Sequence, residues 1–198
     1  NHAIRYYGLQ INPAQRAGNM GEEERKEMLF WTREEYTKFS EAMMDKPISF
    51  YAFEMLYWCG IREGELLALT PADFDFDKQT LRINKSYQRI GKKDIITEPK
   101  TPKSNRIIAL PNFLCEELKE YISHIYDNGR IFPLTKHALY REMIRGSSQS
   151  GVKKIRVHDL RHSHASLLIE LGFSPLLIAE RLGHENIETT LNTYSHLY

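Results

Sequence analysis

Between Thr80 and Leu110 the chain abandons helical spacing and alternates, and this single interruption most limits what it can fold into. Thr80–Gln88 (TLRINKSYQ) alternates apolar and polar residues, Gly91 offers a turn, and Asp94–Glu98 and Asn105–Leu110 carry β-branched pairs. The flanks read as helices. Thr32 is an N-cap with Glu35 three residues on, a capping box opening a helix to about Asp45. Pro47 opens another, with Phe50, Phe53, Leu56 and Tyr57 recurring on one face until Gly60, and Ile61–Leu69 resumes as a short helix. Pro111 and Asn112 open a helix to about Asn128, and a further one covers Lys136–Arg145 before a loop of Gly146, Ser147, Ser148, Ser150 and Gly151. Helices then fill 158–171, 175–183 and roughly 187–193. The expectation is an α+β, mostly helical domain with one small three-stranded antiparallel sheet over 80–110.

A chain of 198 residues, 41% hydrophobic and 27% charged, is one domain's worth of ordinary globular sequence, which excludes wholesale disorder. No stretch approaches the ~20 apolar residues of a membrane span, so no membrane partner is expected. Asn1–Arg5 is not a signal peptide. Cys59 and Cys115 lie in apolar helical segments without framework spacing, as reduced thiols of a cytoplasmic protein do. Residues 1–30 combine a helical remnant (Asn1–Tyr7) with a polar linker holding Pro13, Gly18, Gly21 and Glu22–Glu24, a domain boundary by composition. Residues 31–198 form the main domain. The absence of a starting Met suggests a piece of a longer chain.

Net charge is +1, which alone argues against a dedicated nucleic-acid binder. That average conceals segregation. Residues 21–45 carry eight acids against four bases, while 78–106 carry nine bases against two acids and 130–161 eight against two.

Against this background a few polar residues stand out. Arg62 and Arg161 each open an amphipathic helix, His184 follows Leu182-Gly183, Tyr194 lies ten residues later, and Lys103 sits in the basic hairpin. Taken singly, each has an ordinary reading as a surface residue, an ion-pair partner, a packing residue or a solvated sheet edge. His158 and His162, four apart on one helix face, have the spacing of a zinc protease pair. Asp159 stands where that motif needs Glu, and Arg161 would oppose a cation, so no metal is expected.

Taken together, GIREGELLALT (60–70), KSNRIIALP (103–111), HDLRHSHAS (158–166) and LGHENIETTLNTYSHL (182–197) resemble the catalytic domain of the tyrosine recombinases, the integrases of phages and conjugative transposons. The resemblance spans residues 60–197 in the family's order. It implies that Arg62 and Arg161 clamp a phosphate, that His158 and His184 assist, and that Tyr194 is the nucleophile. Lys103 matches the hairpin lysine, with Lys100 as the neighbouring alternative. Tyr198 lies close to Tyr194 but lacks the following Ser-His. The resemblance further implies that residues 1–30 end a core-binding domain, and that the tail beyond the tyrosine is missing or incomplete.

The chemistry fits those roles. Cleaving a phosphodiester by covalent catalysis needs a nucleophile, stabilisation of a doubly ionised phosphorus centre and a proton donor for the leaving oxygen. Two guanidiniums can clamp the non-bridging oxygens. A phenol with ordinary pKa ~10 needs cations or a base, for which His158 is the candidate, and Lys103 would protonate the 5′ oxygen. No cofactor, ATP or metal is expected, and no Walker motif appears. Duplex DNA is the expected partner, held through Lys85, Arg89, Lys92, Lys93, Lys100, Arg106, Lys153, Lys154 and Arg156. The family implies tetramers of the protein on paired sites, with accessory DNA-bending or directionality proteins. The expected function is integration or excision of a mobile element through a 3′-phosphotyrosyl intermediate. A type IB topoisomerase-like enzyme and a non-catalytic DNA-binding module are the alternatives.

Overall fold

A computed structural model describes residues 2–13, 16, 28–99, 101–125 and 129–197. Helix α1 (His2–Tyr7) occupies the expected remnant. Helix α2 (Arg33–Glu41) starts at the predicted capping box: Thr32 Oγ1 accepts the Glu35 N–H at 3.3 Å, and the Glu35 carboxylate accepts the Thr32 N–H at 2.9 Å. It stops at Glu41, four residues earlier than its periodicity suggests, and residues 42–45 form turns. Helix α3 (Pro47–Cys59) buries Ala52, Phe53, Met55, Leu56 and Tyr57, which point to different sides, and so runs through the core. Gly60 ends it in the left-handed region at φ +62°. Helix α4 is shorter than expected, Glu63–Leu66.

The sheet keeps its three antiparallel strands but not the predicted membership. Strands β1 (Phe74–Asp75), β2 (Thr80–Ile83) and β5 (Arg106–Ala109) form it in the order β1-β2-β5, with Leu81 paired to Phe74 and Ile108. Strands β3 (Ser86–Ile90) and β4 (Lys93–Thr97) make a separate hairpin, turned by Gly91 and Lys92, both at positive φ (55° and 68°). The alternation over 80–88 is therefore two strands. It breaks at Asn84-Lys85, where the position continuing Leu81 and Ile83 holds a lysine that reaches Asp73 and Thr70 instead of the core.

Helix α5 (Asn112–Ser123) opens after Pro111 as expected, and its predicted end near Asn128 lies outside the described residues. Helix α6 (Lys136–Ser150) corrects the predicted loop over 146–151, because it continues to Ser150 and only Gly151 ends it, at φ +71°. The small residues serve packing. A Cβ on Gly146 would come within 2.4 Å of Phe39 and 2.7 Å of Met43, so glycine lets α6 cross α2 closely. Helices α7 (Asp159–Glu170), α8 (Pro175–Leu182) and α9 (Ile187–Tyr194) close the domain.

Trp31 is fully buried in the main core, 4.7 Å from the Phe39 ring, and its indole N–H donates to Lys153 O at 2.8 Å. Its backbone N–H donates to Ser163 Oγ on α7 at 2.9 Å. A second, smaller cluster gathers Ala165, Leu168, Ile178, Leu182 and Tyr194 beneath α7, α8 and α9. Among the described residues no helix is long and apolar enough to cross a membrane.

Candidate active site

Two glycines shape the ground on which the polar residues meet. At Gly60 the left-handed turn sends the chain from α3 into α4, and a Cβ there would sit 2.3 Å from the His164 ring. At Gly183, φ +67°, a Cβ would press on Arg106 and on the Lys103 carbonyl at 3.0 Å. Both positions need a backbone that L side chains rarely adopt and space that a methyl would fill. The first turn delivers Arg62 and the second His184.

Arg62 caps α4 and leans on Glu65. Its guanidinium donates to Glu65 Oε1 at 2.8 Å and to Gly183 O at 3.2 Å, while its backbone N–H donates to Glu65 Oε2 at 2.9 Å. Glu65 is buried and also receives Arg106 in a fork, at 2.9 and 3.1 Å. Burial pushes this carboxyl's pKa up, but hydrogen bonds and charge from Arg106 and Arg62 more than offset that, leaving it below the ordinary value. One carboxylate thus orients two arginines.

Arg161, 4% exposed, donates to Gly60 O at 2.7 Å and Leu182 O at 2.5 Å, joining the two glycine turns. Desolvation, with the nearby Arg62 charge, lowers its pKa to about 9, so it remains a cation at neutral pH. His184 shares a hydrogen bond of 2.8 Å between its Nδ1 and Thr190 Oγ1. Burial and the charges of Arg161, Arg62 and Arg106 lower its pKa to about 4, so the ring is neutral. This convergence of guanidiniums with a single carboxylate suits an anion.

Tyr194 ends α9, 1% exposed within the smaller cluster. Burial raises its pKa to about 12, with Arg161 pulling the other way. Its hydroxyl lies 2.8 Å from Nδ1 of His162, a residue the sequence did not single out for this role. His158 is the N-cap of α7 and stands edge-on to His162, ring centroids 5.4 Å apart; burial and then Arg161 lower its pKa. Among the described residues no group of three or more His, Cys, Asp or Glu is placed to hold a metal ion.

The lysines divide between two walls. Lys103, in a 3₁₀ turn (Pro102–Ser104), donates to Glu185 O at 2.7 Å and lines a hollow of about 280 Å³ with Arg106 and His184. Lys85, between β2 and β3, lines a cleft of about 510 Å³ with Arg62, Glu65 and Lys136, while its ammonium rests on Asp73 and Thr70.

Of the residues expected to meet phosphates, Arg106 needs correction. Its guanidinium is 7% exposed and committed to Glu65, Arg181 O and Ser104 O, so it braces the site from inside. Arg89, Lys92 and Lys93 are exposed around the β3–β4 turn, with Arg89 3.5 Å from Asp94. Lys153, Lys154 and Arg156 are exposed before α7, Lys153 paired with Glu35 and Arg156 with the buried Asp159. Lys100 and Tyr198 lie outside the described residues. Sequence reasoning also missed Glu65, three residues after Arg62 and therefore on the same face of a helical turn.

The profile of the phage integrase family matches residues 20–198. Among curated proteins, the ICEBs1 integrase of Bacillus subtilis (strain 168) is 33% identical over 192 residues, covering 88% of this chain and 52% of that protein. The chain thus spans about half of that relative's length. Among solved structures, the Tn1549 transposon integrase in complex with a circular intermediate DNA superposes with a TM-score of 0.81 at 22% identity, over 96% of this chain and 69% of that one. The catalytic domain of bacteriophage HP1 integrase superposes with a TM-score of 0.62 at 20% identity, over 86% and 89%. These two likenesses are of fold.

Proposed function

The chain belongs to the phage integrase family, and from that premise we propose that it is the catalytic part of a site-specific DNA recombinase. In this reading Tyr194 attacks a backbone phosphate, forming a 3′-phosphotyrosyl link and releasing a 5′ hydroxyl. The observation that carries it is the meeting of Arg62, Arg161 and His184, from three separate stretches of chain, beside a phenol. Arg62 and Arg161 would take the non-bridging oxygens, and the neutral His184 would donate a hydrogen bond to the phosphate. A protein–phosphate ester conserves the energy of the broken bond, so another strand's 5′ hydroxyl can reverse the step.

The substrate in this reading is duplex DNA. The ICEBs1 relative is an integrase, which supports recombination over simple relaxation of DNA. The exposed bases Arg89, Lys92, Lys93, Lys153 and Lys154 would contact phosphates without reading sequence. Residues 1–30 would end a preceding DNA-binding domain, and further copies on paired sites, with accessory DNA-bending proteins, would complete the assembly. The proton donor to the 5′ oxygen would be Lys103. Lys85 is a second candidate because it shares a cleft with Arg62.

The test is covalent trapping on a duplex carrying the element–chromosome junction, nicked a few nucleotides 3′ of the scissile phosphate so the short fragment diffuses away. Wild type forms a protein–DNA adduct in EDTA, Tyr194→Phe forms none, and Arg62→Ala slows formation by ~10²–10³-fold. An adduct in Tyr194→Phe overturns the reading.

A further inference from the structure

The buried phenol meets the half-buried imidazole of His162. Tyr194 Oη lies 2.8 Å from Nδ1 of His162, and the rings meet at 60° with centroids 5.7 Å apart. His158, one turn earlier on the same face, packs edge-on against His162 (89°). Resting on the reading of Tyr194 as nucleophile, we propose that His162 is a catalytic residue: it accepts a hydrogen bond from the phenol and takes its proton as Tyr194 attacks phosphorus.

The step balances without any added reagent. The bond from Tyr194 Oη to phosphorus forms while the phenolic proton passes to Nδ1 of His162. The bond between phosphorus and the 5′ oxygen breaks, its electron pair stays on that oxygen, and a cationic lysine supplies the proton that makes it a hydroxyl. His162 gains the charge that the lysine loses, and ligation runs the same transfers backwards.

The surroundings suit an acceptor. The charged and titratable groups around His162 are His158, Asp159, Arg156 and Arg161 from α7 and the segment before it, Tyr194 from α9, and His184 after α8. Burial first, then His158 and the arginines against Asp159, lower its pKa to about 4, so its lone pair is free at neutral pH. An anionic phosphate on Arg161 offsets part of that cationic field. The imidazole becomes more basic when the substrate arrives, which is when the proton must move.

Single-turnover cleavage of the same nicked duplex tests this with three variants. His162→Ala is expected to slow adduct formation by about a hundredfold with DNA binding unchanged, and added imidazole to restore part of the rate. His162→Asn keeps a polar atom near Nδ1 but cannot take a proton, so it stays slow and loses the acid limb of the pH–rate profile. It also decides the matter if His162→Ala fails to fold. Tyr194→Phe stays inactive with or without imidazole. A His162→Ala rate within about threefold of wild type, or slow variants without imidazole rescue and with an unchanged pH profile, overturns the assignment and leaves Tyr194 as nucleophile. Loss and rescue confined to His158→Ala do the same. An adduct in Tyr194→Phe overturns both readings.

Discussion

Glu65 grips Arg106 with both carboxylate oxygens, an ion pair almost closed to solvent that ties α4 to β5. The same carboxylate holds Arg62, so a structural pair and a candidate phosphate ligand depend on one side chain.

Breaking that pair should cost stability and rate together. Glu65→Ala strands two guanidiniums, one of them buried, and is expected to lower unfolding free energy by about 3–5 kcal/mol. Urea denaturation measures it. Arg106→Ala leaves the carboxylate its Arg62 partner but also takes a donor from the Arg181 and Ser104 carbonyls, so a loss of similar size is expected in the same measurement.

Gly60→Ala meets two obstacles at once, a left-handed backbone and the His164 ring 2.3 Å from the new methyl. A non-glycine residue in that conformation costs roughly 1–2 kcal/mol before any clash. The expected outcome is a larger loss than that in urea denaturation. Gly151→Ala, with φ +71° and open space around it, should show the backbone cost alone.

The two lysines separate by chemistry. A duplex with sulfur in place of the 5′ bridging oxygen has a leaving group that needs no protonation. Whichever of Lys103→Ala and Lys85→Ala is slow on ordinary DNA and restored on the sulfur duplex has lost the proton donor. A lysine that merely grips phosphate stays slow on both, by roughly the same factor.

Acid should destabilise the fold in a definite window. His162 and His184 have folded-state values of about 4 against an ordinary 6.5, and His158 and the buried His164 are shifted the same way. Between those values the unfolded chain binds protons that the folded chain refuses. Their contribution is complete above pH 6.5 and is lost as pH falls toward 4, so urea midpoints should drop steadily across that range. A double His162→Asn, His184→Asn variant should flatten the drop.

Local signals were legible from residues alone. Thr32 and Glu35 cap α2 through neighbours three positions apart, and Gly60 and Gly183 end helices through their own backbone freedom. Arg62, Arg161, His184 and Tyr194 were legible as a set, through motif order. What stayed hidden depends on distant partners. Gly146–Ser150 has the composition of a loop, and only the approach of Phe39 and Met43 makes it a helix face. Arg106 reads as one more base in a basic segment, because nothing nearby in the sequence reveals the carboxylate beneath it. Which of His158 and His162 meets the Tyr194 hydroxyl turns on where α9 docks, a difference of one helical turn that periodicity cannot make.

The two hydrogen bonds of Trp31 have a mechanical meaning. One grips the loop before α7 and the other grips α7 itself at Ser163, two residues beyond Arg161. Displacing the chain at Trp31 would therefore disturb the helix that carries the second arginine as well as the core around Phe39. One residue at the start of the domain thus couples the entering chain to the turn of helix that bears Arg161.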